Sequence, residues 1–199
     1  MFIKICGMTS ASAVVAAVEC GVDAIGFVFA PSVRRVTPQQ AAQWSEQAPP
    51  GLLRVAVTQH PQQALLDEIF SVLAPEVLQT DCEDLERLRI PAGVQVLPVV
   101  RAGAATPAVL PPRLVFEGPM SGRGETSDWG LARGLAGRAE VILAGGLTSA
   151  NVREAIAHVR PFGVDVSSGV ESAPGVKDAR RVAEFVTAVR IAAREISRD

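Results

Sequence analysis

Short apolar runs rich in β-branched residues alternate with longer segments of helical period along this whole sequence. Such an alternation is typical of βα units that build a parallel sheet. Eight runs are predicted to be strands: Phe2 to Cys6, Ala24 to Phe29, Leu53 to Thr58, Val77 to Thr80, Val94 to Val99, Arg113 to Phe116, Val141 to Leu143 and Gly163 to Ser167.

Eight strands favour a closed (β/α)8 TIM barrel over an open doubly wound sheet. An open sheet usually has fewer strands, and its first turn carries a G-x-G-x-x-G fingerprint that is absent here. A barrel usually needs about 250 residues, whereas this chain has 199. The missing length is expected at 101–112, which holds three prolines, and at the short helix of 130–137. We predict an α/β fold, a trimmed barrel in which residues 1–199 form a single catalytic domain.

Composition excludes several classes of partner. Lys and Arg (19) balance Asp and Glu (21) and are interspersed, so no basic stripe for nucleic acid is expected. Apolar stretches fall short of the ~20 residues of a membrane span, and no secretory leader is visible. A soluble cytoplasmic protein follows. The three cysteines are scattered, which predicts free thiols without a disulfide or metal site.

In a barrel, active residues lie where the strands end and in the loops that follow. Cys6 ends the first strand, directly before Gly7, and is therefore a candidate catalytic base. Alternation places Lys4 on the same face as Cys6, and Asp165 on the lumen face of strand eight, the neighbour of strand one. We expect Lys4 and Asp165 to pair, either as structural support or as part of the catalysis.

Two glycine-rich loops predict a phosphate site. Gly145 and Gly146 follow strand seven, and Ser167, Ser168 and Gly169 follow strand eight. These two loops most often bind phosphate in this fold, through backbone N–H groups. The alternative is that both sequences only make tight turns.

Two further residues have a structural and a functional interpretation each. Asp128 precedes Trp129, where a helix should start, and follows a polar loop that includes 121–125. It is either the N-cap of that helix or a general acid. Arg34, or its neighbour Arg35, is either a solvated arginine or the ligand of a carboxylate at the mouth.

Together these residues closely resemble the phosphoribosylanthranilate isomerase family. The matching segments run in order through nearly the whole chain: Lys4-Ile5-Cys6-Gly7-Met8-Thr9, Gly26-Phe27-Val28-Phe29 with Ser32 to Val36, Ser127-Asp128-Trp129, Gly145-Gly146-Leu147 with Asn151-Val152, and Gly163 to Glu171 followed by Pro174-Gly175 and Lys177-Asp178. The first and last segments are the most specific.

The resemblance implies an Amadori rearrangement of N-(5-phosphoribosyl)anthranilate, a step of tryptophan biosynthesis, without cofactor or metal. It implies Cys6 as general base and Asp128 as general acid. The resemblance also implies that the phosphate is bound by Gly145, Gly146, Ser167, Ser168 and Gly169. Alignment leftward from Thr37-Pro38 selects Arg34 over Arg35 for the anthranilate carboxylate. The expected partner is a small phosphorylated substrate, and the expected state is a monomer or homodimer.

Three loops depart from the family pattern. The loop after strand two is one residue shorter and has Val33 where Pro or Lys usually precedes the arginine. Strand four ends in Thr80-Asp81 where V-Q-L-H-G is usual, and 121–125 replaces a G-G-x-G-K-like run. Three alternatives stay open at this point. They are a histidine-pathway barrel isomerase, which would have an aspartate in place of Cys6, a Schiff-base aldolase using Lys4, and a sugar-phosphate-binding barrel without catalysis.

Catalysis by Cys6 needs a thiolate. A free thiol has a pKa of about 8.5, so the base needs a depressed pKa or must act through a reactive minority. Lys4 is the expected source of a depressing positive charge.

Overall fold

Eight parallel strands close into a barrel in chain order. The computed structural model describes residues 1–46, 48–104, 107, 109–118 and 127–196. The strands are β1 (Phe2–Cys6), β2 (Ala24–Val28), β3 (Leu53–Val57), β4 (Val77–Asp81), β5 (Gln95–Arg101), β6 (Arg113–Glu117), β7 (Glu140–Leu143) and β8 (Gly163–Val166). β1 pairs with both β2 and β8, which closes the sheet. The predicted barrel is confirmed, and the predicted strands are shifted by two residues at most at either end.

Six helices follow the strands in the described residues: α1 (Ala11–Glu19), α2 (Pro38–Ser45), α3 (Gln63–Val72), α4 (Trp129–Ala136), α5 (Val152–Val159) and α6 (Ala179–Ile196). The Ser10 hydroxyl caps α1 by accepting from the N–H of Ala13 at 3.2 Å. Side-chain caps of this kind satisfy backbone donors that a helix leaves free. Within the ranges described above, no helix is long and apolar enough to cross a membrane.

α5 begins at Val152, and Asn151, the residue before it, makes no side-chain hydrogen bond to the start of the helix. The Asn151 side chain serves the loop instead, since its Oδ1 accepts from the Thr148 N–H at 2.8 Å and its Nδ2 donates to the Gly146 carbonyl at 2.9 Å. An amide side chain offers both an acceptor oxygen and a donor nitrogen, so Asn151 makes both contacts.

Three regions show how the barrel is shortened and what is added to it. A 3-10 helix (Cys82–Arg87) stands in place of a full helix after β4. No helix lies between β5 and β6 in the part of 102–112 that the structure describes. After β8, a hairpin of β9 (Glu171–Ala173) and β10 (Val176–Lys177) precedes α6, and this hairpin was not predicted.

The core has two layers because side chains alternate across each strand. Residues such as Ile5 and Phe27 face the helices and are fully buried. A second cluster fills the lumen: Ala24, Val55, Val77, Leu97, Val99, Val115, Ile142 and Ala144. Lys4 is in register with Ala24 on one side and Asp165 on the other, so both charged side chains belong to the lumen layer.

Candidate active site

A cleft of about 380 Å³ opens at the carboxyl ends of the strands. Its wall includes residues from the ends of β1, β3, β5 and β6 and from the loops after β2, β7 and β8. Six of the residues predicted from the sequence line it: Cys6, Arg34, Gly145, Gly146, Ser167 and Ser168. The barrel therefore brings together residues from both ends of the chain.

Cys6 is the last residue of β1, and its side chain lies against Gly26 of β2. A Cβ at position 26 would be 2.9 Å from the Cys6 Sγ, so a side chain there would displace the thiol. Burial raises the pKa of the Cys6 thiol, and the positive charge of Lys4 opposes this rise without cancelling it. The expected lowering of the Cys6 pKa is therefore not found in this structure. Of the two routes considered for the base, the one that remains is reaction through the small fraction of Cys6 that is thiolate.

Lys4 and Asp165 form the predicted pair inside the barrel. The Lys4 Nζ donates to the Asp165 Oδ2 at 2.8 Å, and both side chains are buried. Burial disfavours the ammonium, but the charges of Asp165 and Cys6 outweigh it and raise the pKa of Lys4. Lys4 therefore stays protonated, and its ammonium group is held in the barrel by Asp165.

Arg34 crosses the mouth of the cleft and is held by Glu171. Its Nε and Nη2 donate to the two carboxylate oxygens of Glu171 at 2.7 and 2.8 Å. Arg34 is buried and lines the cleft, whereas Arg35 is exposed. Gly7 makes room for this crossing, because a Cβ there would lie 2.6 Å from the Arg34 Cδ and the glycine has a positive φ.

Glu171 also binds Lys177, whose Nζ donates to its Oε1 at 2.7 Å. Burial by itself would raise the pKa of Glu171, but hydrogen bonds from Arg34 and Lys177 outweigh burial and lower it to about 2. Neither residue was given a role from the sequence. The turn signal Pro174-Gly175 was the available hint of the hairpin that carries them.

The two loops proposed to bind phosphate pack against each other. Gly145 and Gly146 both have positive φ, at 93° and 63°, which suits glycine. A Cβ on Gly169 would lie 1.9 Å from the carbonyl oxygen of Leu147, so only glycine fits there. Gly169 thus supports the contact between the loops and is not among the described residues that line the cleft.

Asp128 caps α4, as one of its two interpretations predicted. Its carboxylate accepts from the Leu131 N–H at 3.0 Å, and the side chain is exposed. The described part of the cleft wall does not include it. Residues 119–126, including the divergent run 121–125, lie outside the described residues.

Two charged clusters near the mouth were missed because their members are distant in sequence. Arg101 donates through Nε to Asp81 at 2.9 Å and also binds Glu117. His60, given no role from the sequence, binds the Asp84 carboxylate through Nδ1 at 2.9 Å. His60, Asp81 and Asp84 lie close enough to share a metal ion. Their carboxylates already bind arginine, which opposes a cation, and we assign no metal to them.

Comparison with known proteins identifies a matching family model, described as N-(5'-phosphoribosyl)anthranilate (PRA) isomerase, over residues 3–188. A relative named N-(5'-phosphoribosyl)anthranilate isomerase from Pseudomonas fluorescens is 41% identical over 201 residues, covering 94% of this chain and 97% of its own.

Solved structures agree with this match. A phosphoribosyl anthranilate isomerase from Thermus thermophilus has a TM-score of 0.83 at 29% identity, covering 96% of this chain and 99% of its own. A second structure is a complex of the isomerase with reduced 1-(o-carboxyphenylamino)-1-deoxyribulose 5-phosphate. It has a TM-score of 0.75 at 30% identity and covers 96% of this chain and 98% of its own.

Proposed function

Because the chain belongs to the PRA isomerase family, we propose that its cleft performs the family's rearrangement with Cys6 as general base and Asp128 as general acid. The chain is an isomerase of tryptophan biosynthesis. It converts N-(5-phosphoribosyl)anthranilate into 1-(2-carboxyphenylamino)-1-deoxyribulose 5-phosphate. The observation that carries the assignment of the base is a buried thiol on the cleft wall, with the glycine-rich loops of β7 and β8 also on that wall.

The phosphate of the substrate binds to the loops after β7 and β8. Gly145 and Gly146 present backbone without side chains, and Ser167 and Ser168 add N–H and hydroxyl donors at the same mouth. Gly169 holds the second loop against the first. Backbone N–H groups suit an oxyanion because they are neutral donors, so they can lie in a site away from water without a charged partner of their own.

The anthranilate carboxylate binds to Arg34. Glu171 occupies the Nε and Nη2 edge of the guanidinium, so a carboxylate would use the Nη1 and Nη2 edge. A planar fork of this kind binds a carboxylate through two parallel hydrogen bonds. This contact distinguishes the anthranilate end of the substrate from the phosphate end.

The reaction is catalysed by proton transfers. Asp128 protonates the furanose ring oxygen as the C1–O bond breaks, and the lone pair of the anthranilate amine nitrogen forms the C=N bond of a protonated Schiff base at C1. The Cys6 thiolate then removes the proton from C2, which leaves an enolamine that tautomerises to the ketone. Asp128 and Cys6 are returned to their starting states by solvent exchange. Each transfer needs a positioned acid or base and no cofactor or metal.

The proposal also covers the domain organisation, the cellular location and the oligomeric state. Residues 1–199 act as one catalytic domain, since the barrel takes strands from both ends of the chain. A free catalytic thiol suits the reducing cytoplasm. The active unit is a monomer or homodimer that binds one small phosphorylated substrate and no nucleic acid.

The test follows the loss of substrate fluorescence when freshly made phosphoribosylanthranilate is mixed with Cys6→Ser or Asp128→Asn protein. We expect each to lower kcat about a hundredfold to ten-thousandfold, the usual effect of removing a general acid or base. Asparagine still caps a helix, so Asp128→Asn tests the proton rather than the fold.

The matched control for Cys6→Ser is Cys82→Ser, at a free thiol that is half-buried. The matched control for Asp128→Asn is Asp178→Asn, because the Asp178 carboxylate accepts from the Arg181 N–H at the start of α6. Both should retain wild-type turnover. Full activity in Cys6→Ser and Asp128→Asn contradicts the assigned roles, and an inactive wild type contradicts the function.

A further inference from the structure

The β9–β10 hairpin places a fully connected charge cluster between the two proposed ends of the substrate. Its first residue is Glu171 and its last is Lys177. Arg34 reaches it from the loop after β2, and Ser167 reaches it from the loop after β8. We refer to Arg34, Glu171, Lys177 and Ser167 as the hairpin cluster.

Glu171 has both carboxylate oxygens occupied. Oε1 accepts from the Arg34 Nε at 2.7 Å and from the Lys177 Nζ at 2.7 Å. Oε2 accepts from the Arg34 Nη2 at 2.8 Å and from the Gly175 N–H at 3.2 Å. With a side chain only 4% exposed, Glu171 fixes the plane of the guanidinium as well as its position.

Lys177 continues the cluster to the phosphate loop. Its Nζ donates to Glu171, to the Ser167 carbonyl at 3.0 Å and to the Ser167 Oγ at 3.2 Å. An ammonium has three hydrogens, so these three contacts use all of them. The Lys177 side chain is fully buried, which means that it serves as an internal connector.

The charges of the cluster leave one positive charge uncompensated inside it, since Arg34 and Lys177 carry two and Glu171 carries one. A buried surplus of this sign is unfavourable in the free protein and is relieved when an anion binds. The Nη1 and Nη2 edge of Arg34, on the cleft wall, is where that anion would bind.

We propose that Glu171 and Lys177 are positioning residues that fix the distance between the carboxylate site at Arg34 and the phosphate loop at Ser167. The protein thereby selects substrates that carry both anions at one separation. This inference deepens the proposed function and rests on it. Glu171 contacts Arg34 directly and reaches Ser167 only through Lys177, whereas Lys177 contacts Ser167 directly and reaches Arg34 only through Glu171.

The experiment compares two substrates and one inhibitor in Glu171→Gln and Lys177→Met proteins. The substrates are phosphoribosylanthranilate and phosphoribosylaniline, which lacks the carboxylate, and the inhibitor is ribose 5-phosphate. In Glu171→Gln we expect KM for phosphoribosylanthranilate to rise roughly tenfold to a hundredfold, the effect of losing one or two charge-assisted hydrogen bonds.

In the same Glu171→Gln protein, kcat, the KM for phosphoribosylaniline and inhibition by ribose 5-phosphate should each change less than about twofold. A change of that size is the usual deviation from additivity between independent sites. Lys177→Met should weaken the binding of ribose 5-phosphate as well as the carboxylated substrate. The matched control is Glu184→Gln, which removes an exposed carboxylate on α6 that pairs with Arg180; it should leave all four quantities unchanged.

Glu171→Asp keeps the test decisive if the glutamine variant does not fold. Aspartate keeps the charge next to Lys177 but is one methylene shorter, so it loses the two-bond contact with Arg34, and the same rise in KM is expected. Equal KM increases for both substrates, in a wild type that does turn over phosphoribosylanthranilate, overturn the inference. A wild type without turnover contradicts the proposed function instead.

Discussion

At the scale of single residues, the cleft depends on positions where a side chain is absent. Gly7 gives room to Arg34, Gly26 gives room to Cys6, and Gly169 gives room to the carbonyl of Leu147. Gly26 is the most informative, because the atom that its missing Cβ would meet is the sulfur proposed as the base.

Gly26→Ala should therefore reduce activity more than stability. The added Cβ would be 2.9 Å from the Cys6 Sγ and 3.3 Å from the Lys4 Cε, so the thiol must turn away. Small displacements of a reacting group can cost about a hundredfold, and we expect kcat/KM to fall between about tenfold and a hundredfold.

The matched control is Gly134→Ala in α4, where the new Cβ would meet nothing within 4 Å. This change should stabilise the helix by about 1 kcal/mol and leave turnover unchanged. Steady-state kinetics and thermal unfolding of both variants check the prediction. A Gly26→Ala protein with wild-type kcat/KM would show that the sulfur need not occupy this position.

At the scale of elements, the junction between β1 and β8 carries a buried ion pair inside the barrel, beside the apolar lumen cluster. The alternation of β1 and the adjacency of first and last strands in a closed barrel were enough to predict this pair from the sequence. The contact between Arg34 and Glu171 spans 137 positions in sequence and depends on how an irregular loop and a short hairpin are folded. No periodicity encodes such a contact, which is why it was not predicted.

Lys4→Met should destabilise the protein by about 3 to 5 kcal/mol, because it leaves the Asp165 carboxylate buried without its partner. The double variant Lys4→Met with Asp165→Leu should recover most of that loss, since an apolar pair of similar size needs no compensation. Urea unfolding measured by circular dichroism gives both values. Additive losses in the double variant would mean that the two charges do not stabilise each other.

At the scale of the whole molecule, the strands of the barrel were predictable from the sequence, whereas the hairpin after β8 was not. β-Branched runs gave all eight strands because burial on both faces demands such residues. The β9–β10 hairpin is short and half polar, so hydrophobic pattern did not reveal it. The N-cap at Asp128 followed from a local rule, whereas Asn151, which precedes α5, binds the neighbouring loop instead of capping the helix.

The hairpin cluster makes the stability of the whole molecule depend on pH. Glu171 has a pKa of about 2 when folded, against an ordinary value of 4.5. A depressed pKa means that its contribution is complete above the ordinary value and is lost as pH falls towards the folded value. We expect this single group to contribute on the order of 3 kcal/mol, lost between about pH 5 and pH 2.

Urea unfolding at a series of pH values should show this loss in the wild type and a shallower dependence in Glu171→Gln. Other carboxylates titrate in both proteins, so the difference between the two curves isolates Glu171. Curves that run parallel from neutral to acidic pH would contradict the assignment.

The closure of β1 against β8 also has a consequence for how activity is acquired during synthesis. β1 is synthesised before β8, whose Asp165 pairs with Lys4 of β1, and before the hairpin whose Glu171 binds Arg34. A chain emerging from the ribosome thus keeps one edge of β1 unpaired until β8 has been translated. The pairing of β8 with β1 therefore covers that edge and, in the same step, brings the loop after β8 to the cleft wall that Cys6 lines.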